Sequence, residues 1–149
     1  MKSPTSLTIA LLLCSALSLP CAQASGPRVQ ELTLGKTHVQ AELAVSFQQR
    51  EIGLMNRHSL AENSGMLFVF DVESSHCMWM KDTPLSLSVA FVSEEGFILN
   101  IEEMTALSED SHCAATPARY ALEMNKGWFA RHHIVAGQHI AGLPPFAHH

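Results

Sequence analysis

Five polar residues interrupt otherwise apolar stretches of this 149-residue chain: Arg57, Lys81, Asp82, Thr83 and Glu123. Burying a charge is costly unless it is paired or hydrogen-bonded, so these positions invite a chemical reading. Either Arg57 or Lys81 satisfies Glu123 or Asp82 in an internal network that holds loops in register, or the set belongs to a pocket. In the pocket, Arg57 and Lys81 meet an anionic or polar ligand, and Trp79 or Trp128 supplies a flat apolar wall. The candidate binding residues are Arg57, Trp79, Lys81, Asp82, Thr83 and Glu123.

A tripeptide occurs twice, as Ser75-His76-Cys77 and Ser111-His112-Cys113. Two Cys and two His form a zinc-type donor set, and Met78 and Met80 would soften it toward Cu(I). Adjacent residues of an extended strand point to opposite faces, however, so one ion cannot easily take both donors of a pair. A Cys77–Cys113 disulfide closing a loop of about 36 residues is the expectation for an oxidising compartment. Free thiols and a copper or zinc site are the alternatives; with the bridge formed, no cofactor is implied. The methionines at 55, 66, 78, 80, 104 and 124 stand next to apolar strand residues and read as core.

The chain has no Gly-x-Ser-x-Gly elbow, His-Glu-x-x-His helix or glycine-rich phosphate loop. Glu123 and Glu102 are the acids a glycosidase would need, but spacing along a chain does not give their separation in space. An uncharacterised hydrolase is therefore kept only as an alternative.

These residues need elements to position them. Thr37 to Val45 alternates cleanly, Val39, Ala41 and Leu43 against His38, Gln40 and Glu42, which predicts a half-buried strand. Val29 to Leu34 before it forms a hairpin through Gly35-Lys36. Ser46 and Gln49 have capping-box spacing ahead of a short helix from Phe47 to about Met55. Met66 to Phe70 is continuously apolar and predicts a central strand buried on both faces. His76 to Lys81 reads as a strand ended by Thr83-Pro84. Leu85 to Phe91 and Phe97 to Ile101 form a hairpin about Glu94-Glu95-Gly96, and Thr105 to Pro117 is a surface loop carrying Cys113. Tyr120, Leu122 and Met124 mark a further strand, Asn125 caps a helix through Trp128 to His132, and Gln138 to Ile140 is a brief last strand. Many short strands with one or two short helices predict a mainly β fold, a compact sandwich or partly open barrel.

The ordered segments Gly53-Leu54-Met55-Asn56-Arg57, Gly65-Met66-Leu67-Phe68-Val69-Phe70, Trp79-Met80-Lys81-Asp82-Thr83-Pro84-Leu85 and Ala90-Phe91 then suggest a family. With Tyr120, Leu122-Glu123, Gly127-Trp128 and Gly137 they resemble the signature of family 192 among the domains of unknown function, from about Val29 to Ile140. The resemblance implies a compact jelly-roll-like β fold in bacterial and archaeal proteins that are often exported, and brings no activity. The family more often has Asn where this chain has Asp82, which leaves that position's role open. The Cys77 and Cys113 pair resembles a feature of a subset of the family.

Met1 to Ala24 has the three parts of an export signal: Lys2, an apolar run from Leu7 to Leu19, and Ala22-Gln23-Ala24. The run is shorter than the ~20 residues a permanent span needs. Cleavage after Ala24 leaves one β-rich domain over 25–142 and a flexible tail over 143–149, in the periplasm or outside the cell. Cleavage removes one of nine basic residues and none of the 14 acidic ones, so the net charge nears −6. That balance argues against nucleic acid and anionic membrane as partners. The expected function is a non-catalytic exported module that binds a small polar or carbohydrate-like ligand or an envelope partner. A copper- or zinc-binding envelope protein is the second possibility.

Overall fold

The computed structural model describes residues 26–145; the expected signal peptide and the end of the tail lie outside them. Within the described residues nine strands and two helices follow in the order β1 (Val29–Leu34), β2 (Thr37–Ala44), α1 (Phe47–Ile52), β3 (Ser64–Ser74), β4 (Cys77–Met78), β5 (Leu87–Val92), β6 (Ile98–Met104), β7 (His112–Cys113), β8 (Ala118–Asn125), α2 (Trp128–Arg131) and β9 (Ile140–Ala141).

Seven strands form one sheet in the order β6-β5-β8-β3-β2-β1-β9, and β4 pairs with β7 in a separate ribbon. All neighbours are antiparallel except β2 and β3, which run parallel because α1 and the following loop carry the chain back. The continuously apolar Met66–Phe70 run lies in β3, the central strand of the seven. The sheet curls until its ends touch: the Ile98 amide donates to Gln138 at 2.9 Å, that of Gly137 to Ile98 at 2.8 Å, and that of Ile140 to Gly96 at 2.9 Å. Of the two expected architectures, the partly open barrel is the one that forms.

The alternation along the strands divides the apolar residues between two clusters. One draws on every strand of the sheet, with Leu32, Val39, Leu67, Ala90, Ile98, Leu122 and Ile140 among its members, and Trp128 and Phe129 of α2 close it. The other packs Met66, Phe68, Val89, Phe91 and Ala121 of the opposite face under Leu54 and Met80 from the connecting segments. Glu123 extends from β8 beside this second cluster, since its strand neighbours Leu122 and Met124 belong to the first. Gly65 is required where β3 passes β8: a Cβ there would stand 2.5 Å from the Glu123 carbonyl oxygen and from the Met124 sulfur.

Several expected boundaries move. The helix stops at Ile52, because Gly53 turns into a positive φ of 48° and its amide caps on Gln49. The strand expected over His76 to Lys81 shrinks to Cys77–Met78; Met80 turns into the core and its amide bonds to Ser108. The Thr105–Pro117 loop carries the short strand that pairs with it. Asn125 does not cap α2, which starts from Gly127 in the left-handed conformation. Its amide instead donates to the carbonyls of Leu60 and Ala61. The beginning of the expected tail is docked: Leu143 packs on the barrel core, and the Tyr120 hydroxyl donates to the Pro144 carbonyl at 2.9 Å.

Candidate functional site

No residue of α1 is buried, so the helix is held by polar contacts rather than by an apolar face. The Ser46 hydroxyl accepts from the Gln49 amide while the Gln49 side chain accepts from Ser46, closing the capping box. Arg50 then pins the helix to β3. Its guanidinium donates to the carbonyls of Val45 and Val69 and pairs with Asp71 at 2.6 Å.

Between α1 and the segment through β4 lies a cleft of about 30 Å³. Its walls are Gly53, Leu54 and Met55 on the helix side and Met78, Trp79, Lys81 and Thr83 on the other, with Phe68 and Glu123 among the lining residues. Gly53 is needed here for space as well as conformation, since a Cβ would lie 3.1 Å from the Phe68 ring. A wider groove of about 330 Å³ shares Arg50, Glu51, Phe68, Met78 and Trp79 with the cleft and continues past Phe47, Phe70 and Val72.

Glu123 is the unusual member. It is 3% exposed, and among the described residues its carboxyl accepts no hydrogen bond and joins no ion pair. Desolvation alone raises its pKa from 4.5 to about 8, so at neutral pH burial holds it mainly protonated. Trp79, by contrast, is 48% exposed, and the Lys81 ammonium lies 5.3 Å from the centre of its ring. The Thr83 hydroxyl is buried and donates to the Lys81 carbonyl at 3.1 Å.

Four of the six candidate binding residues therefore meet: Trp79, Lys81, Thr83 and Glu123. Arg57 and Asp82 do not line the cleft. Arg57 forks onto Glu42 with two hydrogen bonds of 2.5 Å, so it satisfies neither Glu123 nor Asp82. Asp82 is exposed at a positive φ of 52°, a conformation Asn adopts readily, and its carbonyl accepts from the Asn56 amide at 2.7 Å. Its contribution is to the backbone turn. Trp128 is fully buried with its indole N–H donating to Asn63 and lies away from the cleft.

The α1 contribution was not visible in the sequence. Arg50 and Glu51 carry no motif, and the exposure of the apolar Phe47 and Ile52, 72% and 51%, is a property of the fold alone.

The Ser-His-Cys repeats come together as a clamp. Cys77 faces Cys113 across the β4–β7 ribbon, and the two are disulfide-bonded. His76 turns the other way and stacks on Phe70 with ring centroids 3.6 Å apart. With both sulfurs in the bridge, a copper or zinc site built on these cysteines has no thiolate to use. Among the described residues no three His, Cys, Asp or Glu side chains gather into a metal-binding group.

Comparison with known proteins agrees with this architecture. A structure from Sinorhizobium meliloti 1021, described as a candidate transcription regulator, is 34% identical with a TM-score of 0.76, covering 80% of this chain and 98% of its own. A protein of unknown function from Novosphingobium aromaticivorans DSM 12444 is 26% identical with a TM-score of 0.74, covering 89% of this chain and 99% of its own. The search of curated proteins finds no match. The family described as "Uncharacterized ACR" matches residues 30–142, and on that match the chain belongs to family 192 of the domains of unknown function.

Proposed function

We propose that the chain is a binding module that takes a small polar or carbohydrate-like ligand along the groove between α1 and the β4 segment, with its polar end in the cleft. The observation that carries this reading is Glu123, a buried carboxyl without a partner among the described residues, lining an opening whose rim bears an exposed Trp. A buried polar group is normally satisfied, and one left open toward a cleft is completed by whatever enters. The flat face of Trp79 suits a ring, and the polar end of the ligand reaches Glu123.

Binding is favoured over catalysis because the hydroxyl and thiol side chains lining the cleft and groove are committed. The Thr83 hydroxyl is bonded to a backbone carbonyl and Cys77 to Cys113. Nucleic acid is disfavoured because Arg50, Arg57, Arg119 and Arg131 each pair with a carboxylate. Export to the periplasm or beyond fits both the signal-like start and the disulfide.

Titration of labelled protein with a panel of monosaccharides, polyols and small amines, followed by amide and indole resonances, tests the proposal. A saturable shift at Trp79 and its cleft neighbours that is lost in Trp79→Ala supports it. If no compound in the panel moves those signals, the binding reading fails.

A further inference from the structure

Building on the binding function proposed above, we infer that the group received at Glu123 is a primary ammonium carried on a slender apolar stem, such as an alkylamine or a lysyl side chain. Three features lead there, beginning with charge. Glu123 is buried and pairs with no cation among the described residues, and the cations lining or near the cleft are engaged elsewhere: Arg50 with Asp71, Arg57 with Glu42, and Lys81 over the Trp79 ring. The cleft supplies an acceptor and lacks its counter-charge, which a ligand ammonium provides with three donors.

The second feature is size. The inner cleft of about 30 Å³ has room for about two water-sized groups, enough for an ammonium and the carbon that bears it but too narrow for a sugar ring. The third is the wall beyond. The groove of about 330 Å³ that continues from the cleft presents Phe47, Phe70, Val72, Met78 and Trp79, an apolar path for a stem. A polar head at the floor and an apolar run toward the rim define an amphipathic amine.

Binding then has a proton signature. Burial holds Glu123 mainly protonated at pH 7, and an arriving ammonium favours the carboxylate, so about one proton leaves per ligand bound. The other charged groups lining the cleft are Arg50 and Glu51 of α1 and Lys81 beyond β4.

The test compares n-butylamine with its neutral counterpart 1-butanol and with glucose, by resonance titration and by calorimetry in two buffers of different ionisation enthalpy at pH 7. The expected result is a saturable shift at Trp79 with n-butylamine, at least tenfold weaker binding of 1-butanol, and a proton released in the wild-type protein. Glu123→Gln should weaken n-butylamine at least tenfold and leave 1-butanol unchanged. If 1-butanol or glucose binds as well as the amine, or no proton is released, the ammonium assignment falls while the binding module stands. If none of the three shifts the cleft resonances, both fall.

Discussion

Arg57 forks onto Glu42, while Glu123 pairs with no cation among the described residues. The two acids lie on strands that flank β3, β2 on one side and β8 on the other, and the chain has spent its arginine on the more exposed one. Glu42 is thereby a structural carboxylate, while Glu123 stays available.

Glu123 makes stability fall with pH. Its carboxyl holds a proton up to about pH 8 when folded, against an ordinary value of 4.5. Between those values the folded chain binds more protons than the unfolded one, so stability is greatest below the lower value and drops as pH rises through the window. The limiting slope is about 1.4 kcal/mol per pH unit. Denaturant unfolding at pH 5 and pH 8.5 should show wild type losing about 2 kcal/mol or more, and Glu123→Gln, which has no proton to lose, should remove most of that difference. Equal losses in both proteins would mean the carboxyl is solvated.

Removing Arg57 should cost little and spare the cleft. The pair with Glu42 is bidentate but more than a third of the Arg57 side chain is exposed, so solvent screening holds its worth to about 1 kcal/mol. A double-mutant cycle of Arg57→Ala with Glu42→Ala should return a coupling of that size, and ligand affinity should be unchanged in both.

The two tryptophans should respond oppositely. Trp79→Ala should stay within about 0.5 kcal/mol of wild type, as exposed substitutions do, while abolishing ligand-induced changes. Trp128→Ala empties the barrel core and should cost about 3 to 5 kcal/mol. Iodide quenching should report on Trp79 alone, a difference that urea titration of both variants checks.

Opening the Cys77–Cys113 bridge should destabilise the domain by about 4 kcal/mol, because it closes a loop of 36 residues. It should also free Met78 and Trp79 on the cleft wall, since β4 and β7 pair through only two residues each. The paired Cys→Ser variant, compared with wild type by thermal unfolding and ligand titration, measures both effects.

Alternation and apolar runs revealed most of the sheet in advance, because β2, β3 and β8 sort their side chains by face or bury both. Trp79, Lys81, Thr83 and Glu123 were legible as polar interruptions of apolar segments. What stayed hidden depended on partners distant in sequence. The pairing of Arg57 with Glu42 joins a loop to a strand 15 residues earlier, which no local pattern encodes; the Cys77–Cys113 bridge was expected, but not the two-residue strands β4 and β7 that flank it. Asp82 stood out as a charge, yet its place follows from a backbone φ that side-chain chemistry does not reveal.

Because no residue of α1 is itself buried and the helix hangs on Arg50 and a capping box, its detachment exposes little apolar surface of its own. Such a segment opens at a free energy well below that of the whole domain. Amides of Arg50 and Gly53 should exchange with deuterium far sooner than those of β3 and β8, which makes the helix the softest border of the cleft while Leu54 beside it stays anchored in the core.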